Sequence, residues 1–180
     1  MRPRYVEVAE ALAEEIVRRE LGVVYGGGQI GLMGAVARRT LELGGELIGV
    51  IPRTLTEREV AFEGASRLYV VDSMHERKAL MNDLSAGFVA LPGGFGTLEE
   101  LFEVITWAQL GIHTKPFGIL DVEGLFEPLM GFLDRAVTEG FIRSEYRDMV
   151  HNGTDPASLL NALAAWTPPE PIAWLDIEES

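Results

Sequence analysis

The sequence contains no cysteine, which excludes disulfide bonds, thiolate metal sites and thiol nucleophiles. The lack of cysteine is consistent with a reducing cytoplasm, where we expect the protein to act. Histidine is also scarce: the three histidines, at positions 75, 113 and 151, include no pair with the spacing of metal ligands. The sequence therefore predicts an active site without a metal, and nothing in it indicates another cofactor.

Positive charge is scarce as well. The chain has 15 Lys and Arg against 28 Asp and Glu, a formal net charge of −13 at pH 7. Such an acidic surface disfavours DNA, RNA and anionic lipid as partners. A small anionic ligand is still allowed, because helix N-termini and a few local cations can reverse the field inside a pocket. The apolar stretches are only strand-sized and residues 1–5 lack the apolar block of a signal peptide, so we expect neither a transmembrane helix nor a leader.

Short apolar runs alternate with segments of helical periodicity along the chain. Helices are predicted at residues 5–20, 32–43, 74–83, 98–110, 125–138 and 155–166, the last with Asp155 as N-cap. Strands are predicted at residues 21–25, 47–51, 68–71, 88–91 and 117–120. This alternation predicts a single α/β domain over residues 1–167, a Rossmann-like doubly wound parallel sheet with helices on both faces. The Pro-rich residues 168–180 are predicted to form an extended strap.

The first predicted strand runs into a glycine-rich segment, YGGGQIGLMG at residues 25–34. Gly26, Gly28 and Gly31 match the G-x-G-x-x-G pattern of dinucleotide-binding loops, and Glu46 lies near the position of a ribose-binding acid. Glycines let backbone N–H groups approach a ligand ahead of a helix N-terminus. Alone, the pattern is a weak sign of NAD binding, and a tight strand-to-helix turn is the alternative.

A second glycine loop, PGGFGTLEE at residues 92–100, follows a buried strand and opens a helix. Gly93, Gly94 and Gly96 leave the backbone bare, and Thr97 is placed to be the N-cap of the helix. The loop predicts phosphate binding. Because it lacks the lysine of a Walker A loop, a nucleoside triphosphate with Mg²⁺ is not its natural ligand.

Glu100, at the end of this segment, allows two interpretations. Its spacing from Thr97 matches a capping box, in which the carboxylate bonds back to the N-cap amide, and spacing alone favours that structural role. The functional interpretation places the carboxylate beside the phosphate loop, within reach of a ribose.

The cationic pair Arg77 and Lys78 follows the strand predicted at residues 68–71, at the same edge of the sheet as the two glycine loops. Arginine can grip phosphate with two hydrogen bonds, and lysine adds a point charge. The alternative is an ordinary solvated helix face, which is the usual fate of such pairs.

These three motifs, in this order and spacing, resemble the Lonely Guy (LOG) family of phosphoribohydrolases. The segment PGGFGTLEE matches the family signature P-G-G-x-G-T-x-x-E in full, and MHERK at residues 74–78 matches its second hallmark. Residues 26–34, 51–53, 58–60 and 107–111 also agree, and the resemblance extends from about residue 4 to the tail. Many family members were once labelled lysine decarboxylases, but nothing in this sequence suggests pyridoxal-phosphate chemistry.

The resemblance implies hydrolysis of the N-glycosidic bond of a cytokinin riboside 5′-monophosphate or of AMP, giving a free base and ribose 5-phosphate. It implies Glu100 and Arg77 as catalytic residues, which reverses the preference for a capping role at Glu100. The residues that it assigns to substrate binding are Gly93, Gly94, Gly96, Thr97, Lys78, Met74, Gly27, Gly28, Glu99, Glu59 and Thr106.

Two other functions compete with this one. A non-catalytic nucleotide-binding module could use the same loops. An NAD-dependent oxidoreductase built on the first glycine loop is disfavoured, because it leaves the second loop and the Arg77–Lys78 pair unexplained.

The resemblance also bears on the sheet. Family members begin with a strand and a glycine-serine loop before the first helix, whereas this sequence starts almost at that helix. The missing strand would lie at the centre of the sheet, beside the nucleotide pocket, and its loss would expose backbone groups on both neighbouring strands. The resemblance therefore implies either that the start of the sequence is misassigned or that something else fills this position.

The predicted helix at residues 98–110 is apolar around most of its circumference. Such a helix is buried on several sides, and a sheet can cover only one of them. We therefore expect a second subunit to cover another side, and the resemblance likewise implies a homodimer. The alternative is a central helix that is buried within its own domain.

Overall fold

The computed structural model describes residues 2–56 and 64–168, which form parallel strands joined by helices. Glu59 and the strap beyond Pro168 lie outside the described residues. The helices are α1 (Pro3–Arg18), α2 (Gly31–Glu42), α3 (Arg53–Thr56), α4 (Met74–Leu84), α5 (Phe95–Gln109), α6 (Glu127–Thr138), α7 (Ser144–Asp148) and α8 (Pro156–Ala165). The strands are β1 (Val23–Tyr25), β2 (Leu47–Pro52), β3 (Arg67–Val71), β4 (Phe88–Ala90), β5 (Phe117–Leu120) and β6 (Val150–Gly153).

The strands of the described residues form two parallel three-stranded sheets, in the orders β1-β2-β3 and β4-β5-β6. Strands β1 and β4 each pair on one side only. Leu91, the residue after β4, packs in the cluster that contains Val23 and Tyr25 of β1, so the two unpaired edges lie near each other. The strand order of the described residues is therefore interrupted between β1 and β4.

Helix α1 connects the cores of the two sheets. Its Ala9 and Ala13 belong to a cluster with residues of β1 and β2, whereas Val8 and Leu12 pack in a cluster with Leu120 of β5. All four α1 side chains are at most 5% exposed. Because they share one face of an amphipathic helix, α1 ties the two half-sheets together through apolar contacts.

Three short elements, α3, α7 and β6, are not among the sequence-based predictions. Strand β6 has the sequence VHNG, which carries little of the apolar character by which a buried strand is found, yet it pairs with β5 over four residues. Helix α3 is a single turn and α7 has five residues, so neither gives a periodic pattern.

The last helix confirms its predicted cap. The Asp155 carboxylate accepts a hydrogen bond from the Ser158 amide at 2.8 Å, and Pro156 occupies the first helical position. In the described part of the chain, no helix is both long enough and apolar enough to cross a membrane.

Candidate active site

The carboxyl ends of three strands bring the sequence motifs to one edge of the molecule. Residues 26–28 follow β1, the α4 helix begins soon after β3, and residues 91–94 lead from β4 into α5. All of these strands are parallel to their neighbours. The motifs therefore come together where ligands bind in open α/β folds.

The start of α4 is fixed by side chains of its own first turn. The Ser73 hydroxyl caps the helix by accepting a hydrogen bond from the Glu76 amide at 3.1 Å. The Glu76 carboxylate in turn accepts from the Asp72 amide at 2.8 Å. This reciprocal arrangement resembles a capping box and sets the orientation of α4, from which Arg77 points inward. The S-x-x-E spacing that produces it was readable from the sequence.

Arg77 is a buried cation, 9% exposed, at the centre of the site. Its Nη1 donates to Glu100 Oε1 at 3.0 Å, and its Nε donates to the carbonyl oxygen of Val50 in β2 at 3.3 Å. Met74 Sδ lies 3.9 Å from Nη1. A charge that is removed from water is tolerated when it is paired and hydrogen-bonded, and both conditions hold for this guanidinium.

Gly26 makes room for this guanidinium. A β-carbon at position 26 would overlap Arg77 Nη2, and it would also lie only 3.2 Å from Met33 Sδ. Its neighbour Gly27 has a φ of +80°, and Ile51 packs against it. Close packing and backbone conformation therefore explain the first two glycines of the loop. This agrees with the alternative interpretation of the motif as a tight strand-to-helix turn.

The helix that follows the second glycine loop does not have its predicted N-cap. Helix α5 begins at Phe95, with Gly94 as N-cap and no side-chain capping bond, so Thr97 is its third residue and the prediction of Thr97 as N-cap is wrong. The Thr97 hydroxyl instead fills the space beside Gly93, where a β-carbon would overlap it. Gly94 and Gly96 face open space. Their loop and the first turn of α5 leave backbone N–H groups without intrahelical acceptors.

Glu100 does not form the capping box that its spacing from Thr97 allows, because its carboxylate is paired with Arg77 on α4. The side chain is 39% exposed, so it is both anchored and accessible. Burial raises the pKa of the Glu100 carboxyl above its ordinary value, and Arg77 opposes this rise. Glu99 and Glu103 raise the same pKa further, and Lys78 lowers it.

Lys78 forms ion pairs with two carboxylates of α5. Its Nζ lies 2.6 Å from Glu99 Oε1 and 2.8 Å from Glu103 Oε1, and its side chain is 11% exposed. The hydrogen bonds to Glu103 and Glu99 raise the pKa of the Lys78 ammonium. Together with Arg77–Glu100, these contacts join α4 to α5.

Two further residues predicted to bind substrate, Gly28 and Thr106, have different surroundings. Gly28 is buried and helps to line a cavity of about 210 Å³ with Gln29, Ile30 and Met33. Thr106 donates its hydroxyl to the Phe102 carbonyl at 2.7 Å, six residues and about 9 Å along α5 from Glu100, so it is not gathered with the Arg77–Glu100 pair.

Two groups that contact the cations of the site were not predicted from the sequence: the Val50 carbonyl, which accepts from Arg77, and Glu103, which pairs with Lys78. A backbone carbonyl leaves no sequence signal. Glu103 could have been found, because it lies four residues after Glu99 and therefore on the same face of the helix. In the described ranges, no cluster of three or more His, Asp or Glu side chains is arranged to hold a metal ion.

Sequence comparison adds a second line of information. The model of a family described as "possible lysine decarboxylase" matches residues 33–163. A cytokinin riboside 5′-monophosphate phosphoribohydrolase of Arabidopsis thaliana is 49% identical over 91% of this chain and 72% of its own length. A protein of the same name from rice, Oryza sativa subsp. japonica, is 48% identical over 91% of this chain and 68% of its own.

Solved structures with the same fold are more distant in sequence. A molybdenum cofactor binding protein from Rippkaea orientalis superposes with a TM-score of 0.69 at 18% identity, covering 91% of this chain and 88% of that one. A Moco carrier protein from Chlamydomonas reinhardtii gives 0.64 at 22% identity over the same shares. At these identities the likeness concerns the fold alone.

The packing of Arg77 against the first glycine loop yields a prediction. Gly26→Ala should displace the guanidinium from the Val50 carbonyl and lower the free energy of unfolding by roughly 1–3 kcal/mol, because the added methyl overpacks a filled space. Chemical denaturation and a crystal structure of the variant measure the two effects. Gly94→Ala, at a position facing open space, is the matched control and should change stability by less than about 0.5 kcal/mol. An unmoved Arg77 in the Gly26→Ala structure would contradict the assignment.

Proposed function

Because the chain belongs to the LOG family, whose matching sequence model is described as possible lysine decarboxylase, we propose that it hydrolyses the N-glycosidic bond of a cytokinin riboside 5′-monophosphate. The products are the free base and ribose 5-phosphate. The single observation that carries the proposal is the Arg77–Glu100 ion pair, which stands one turn along α5 from a bare glycine loop.

The 5′-phosphate is assigned to the N-terminal end of α5. The amides of Phe95, Gly96 and Thr97 have no acceptor within the helix, and the helix dipole adds partial positive charge at this end. Gly94 and Gly96 leave the approach open, since nothing lies within 4 Å of the place where a β-carbon would stand. An anion can therefore be held here despite the net charge of −13.

The anomeric carbon is assigned to the neighbourhood of Glu100. From Thr97 to Glu100 the helix rises by about 4.5 Å, a length that a ribose can span between its phosphate and its C1′ atom. Binding the phosphate at a distance from the scissile bond fixes the sugar in place, so that binding energy supports orientation.

The chemistry follows from the charge that develops on the sugar. As the C1′–N bond breaks, its electron pair leaves with the base and the ribose becomes cationic, as in glycoside hydrolysis. The Glu100 carboxylate stabilises that cation and accepts a proton from the water that forms the new C1′–O bond, while the departing base nitrogen takes up a proton from solvent. Glu100 then releases its proton to solvent, which restores the carboxylate. Arg77 favours the ionised form of the carboxylate, because its charge opposes the rise in pKa, and its hydrogen bond orients the group.

The base is proposed to be an N⁶-modified adenine, after the names of the relatives. AMP is a second candidate substrate, and a parallel assay with both nucleotides decides between a narrow and a broad base preference. Binding without cleavage is the alternative outcome.

Replacement of Glu100 by Gln tests the reaction. The variant should release free base about 1000-fold more slowly than wild type, because a neutral amide neither accepts the proton nor stabilises the cation, a loss of about 4 kcal/mol in the transition state. Chromatography of isopentenyladenosine monophosphate incubations quantifies the base, and calorimetry should show nucleotide binding close to that of wild type.

The exposed Glu7 on α1 supplies the control, since Glu7→Gln removes the same charge outside the site and should leave the rate unchanged. Wild-type protein that binds the nucleotide but releases no base would refute the proposed hydrolysis and favour a nucleotide-binding module.

The pH dependence of the reaction should reflect the environment of Glu100. The ionised form is the active one, so kcat/KM falls as the pH is lowered through the pKa of this carboxyl in the free protein. Because burial raises that pKa above its ordinary value, the acidic limb of the profile should lie above that of an ordinary glutamate. A kcat/KM profile across the acidic range measures it, and a limb at or below the ordinary glutamate range would contradict the role of Glu100.

We also propose that a second copy of the chain packs on α5, forming a homodimer. Only Leu101 and Ala108 of this helix are buried in the single chain, whereas Phe102 is 36% exposed and Leu110, just after the helix, is 43% exposed. Leu98, Val104 and Ile105 also pack against the core, so burial within the chain's own domain, the alternative raised by the sequence, accounts for part of the apolar character of α5. A partner subunit would cover this surface.

Phe102→Glu should shift the protein from dimer to monomer in analytical ultracentrifugation, since it introduces a charge into the apolar contact. Phe132→Glu is the matched control: Phe132 is 64% exposed on α6 and the change should leave the mass unaltered. A wild-type protein that sediments as a monomer, or a dimer that withstands Phe102→Glu, would speak against an interface on α5.

A further inference from the structure

Sulfur in this chain is confined to methionine, because the sequence has six methionines and no cysteine. A peroxide, which would otherwise react first with a thiolate, therefore meets only thioethers among the sulfur groups of the protein. The product is methionine sulfoxide, in which a flexible apolar side chain becomes polar and gains an acceptor oxygen. Where a methionine is both accessible and in contact with a functional group, this reaction alters that group.

The methionines of the described residues differ in their exposure to solvent. Met74, the first residue of α4, is 41% exposed. Met33 and Met81 are half-buried, and Met130 and Met149 lie in the core with only 7% and 6% exposed. Because oxidation follows accessibility, Met74 is the described methionine that a peroxide in solution reaches first.

The sulfur of Met74 lies against the cation of the site. Its Sδ is 3.9 Å from Nη1 of Arg77, and the same Nη1 donates to Glu100 Oε1 at 3.0 Å. A thioether is a weak acceptor, so in the reduced protein the carboxylate is the stronger partner of this nitrogen. One nitrogen of Arg77 therefore serves both the proposed catalytic carboxylate and the accessible sulfur of Met74.

We propose that Met74 is a site of reversible oxidation by peroxides, and that its sulfoxide slows the proposed reaction. With hydrogen peroxide, a lone pair of Sδ attacks one oxygen atom, the O–O bond breaks and an S–O bond forms. The sulfur is oxidised by two electrons, and the other peroxide oxygen leaves as water after it takes up the proton of the new S–O–H group. The effect on rate rests on the proposed function of Glu100, whereas the site of oxidation does not.

The new oxygen changes how the guanidinium is shared. An oxygen bound to Sδ of Met74 can close the 3.9 Å separation to an ordinary N–H···O distance of about 2.9 Å. Arg77 then has a strong acceptor on its own helix that competes with Glu100 on α5. The hydrogen bond from Arg77 to the carboxylate is weakened as a result.

This competition has a consequence for the pH dependence. Burial raises the pKa of the Glu100 carboxyl and the charge of Arg77 opposes that rise, so a weaker contact with Arg77 raises the pKa further. The other charged groups that face this carboxyl are Lys78 on α4 and Glu99 and Glu103 on α5. Oxidation of a thioether leaves their charges unchanged. The oxidised protein should therefore lose activity at a higher pH than the reduced protein.

The test treats wild type, Met74→Leu and Met81→Leu with hydrogen peroxide and compares each protein with its own untreated sample. Met81→Leu is the matched control, since it makes the same change on the same helix at a half-buried position. In wild type and Met81→Leu we expect kcat/KM to fall by about fivefold or more at neutral pH and its acidic limb to move up by about half a pH unit or more. Treated Met74→Leu should keep its own untreated value within about twofold.

Peptide mass spectrometry locates the added oxygen, and a methionine sulfoxide reductase with a dithiol reductant removes it, forming a disulfide of the reductant and water. The oxygen should appear at Met74 before it appears at the other described methionines, and the rate should return in step with its removal. This repair experiment needs only wild type, so it tests the inference even if Met74→Leu does not fold. An oxygen found first at another described methionine, a rate that is unchanged when Met74 is oxidised, or an equal loss of rate in treated Met74→Leu would overturn the inference.

Titration of the Glu100 carboxyl by carbon-detected NMR separates this inference from the proposed function. A wild-type protein without base release refutes the reaction, yet the titration of Glu100 in reduced and oxidised protein still reports whether the sulfoxide acts on the Arg77–Glu100 pair. A Glu100 titration that is identical in the two samples, with Met74 fully oxidised, overturns the inference, whether or not the protein is an enzyme.

Discussion

The site depends on one buried cation, the guanidinium of Arg77. Removing a charge from water is costly, and here the cost is offset by a carboxylate on α5 and a main-chain carbonyl of β2. Gly26, the residue after β1, leaves room for the guanidinium, because a β-carbon there would overlap it. One side chain thus accounts for a glycine of the first loop and for the position of Glu100.

The same contacts have a second consequence for the fold. The described strands form two sheets that do not pair with each other, and α1 connects them through apolar packing. The ion pairs between α4 and α5 connect them again at the carboxyl ends of the strands. The contacts that form the site are therefore also contacts that join the half-sheets. In a protein of net charge −13, they also concentrate two of its few cations at the place where an anion is expected to bind.

The sequence was informative where the signal is local. Periodicity found α1, α2, α4, α6 and α8, and the apolar run at Phe117–Leu120 matched β5 to the residue. The prediction of Thr97 as the N-cap was wrong, because Gly94 serves as the N-cap and α5 begins earlier than predicted. The partner of Glu100 lies 23 residues away on another helix, so no spacing rule could separate a capping box from an ion pair. The family resemblance assigned Glu100 to the substrate site, and the structure supplied the contacts that explain how it is held.

The central claim is that main-chain amides at the start of α5 hold a sugar phosphate while Glu100, kept in place by Arg77, faces the anomeric carbon. A crystal structure of the wild-type protein with bound ribose 5-phosphate tests this most directly. The account predicts the phosphate oxygens within hydrogen-bonding distance, about 3 Å, of the amides of residues 95–97, and the C1′ hydroxyl against the Glu100 carboxylate. A phosphate bound elsewhere, or a Glu100 carboxylate turned away from C1′, would contradict it.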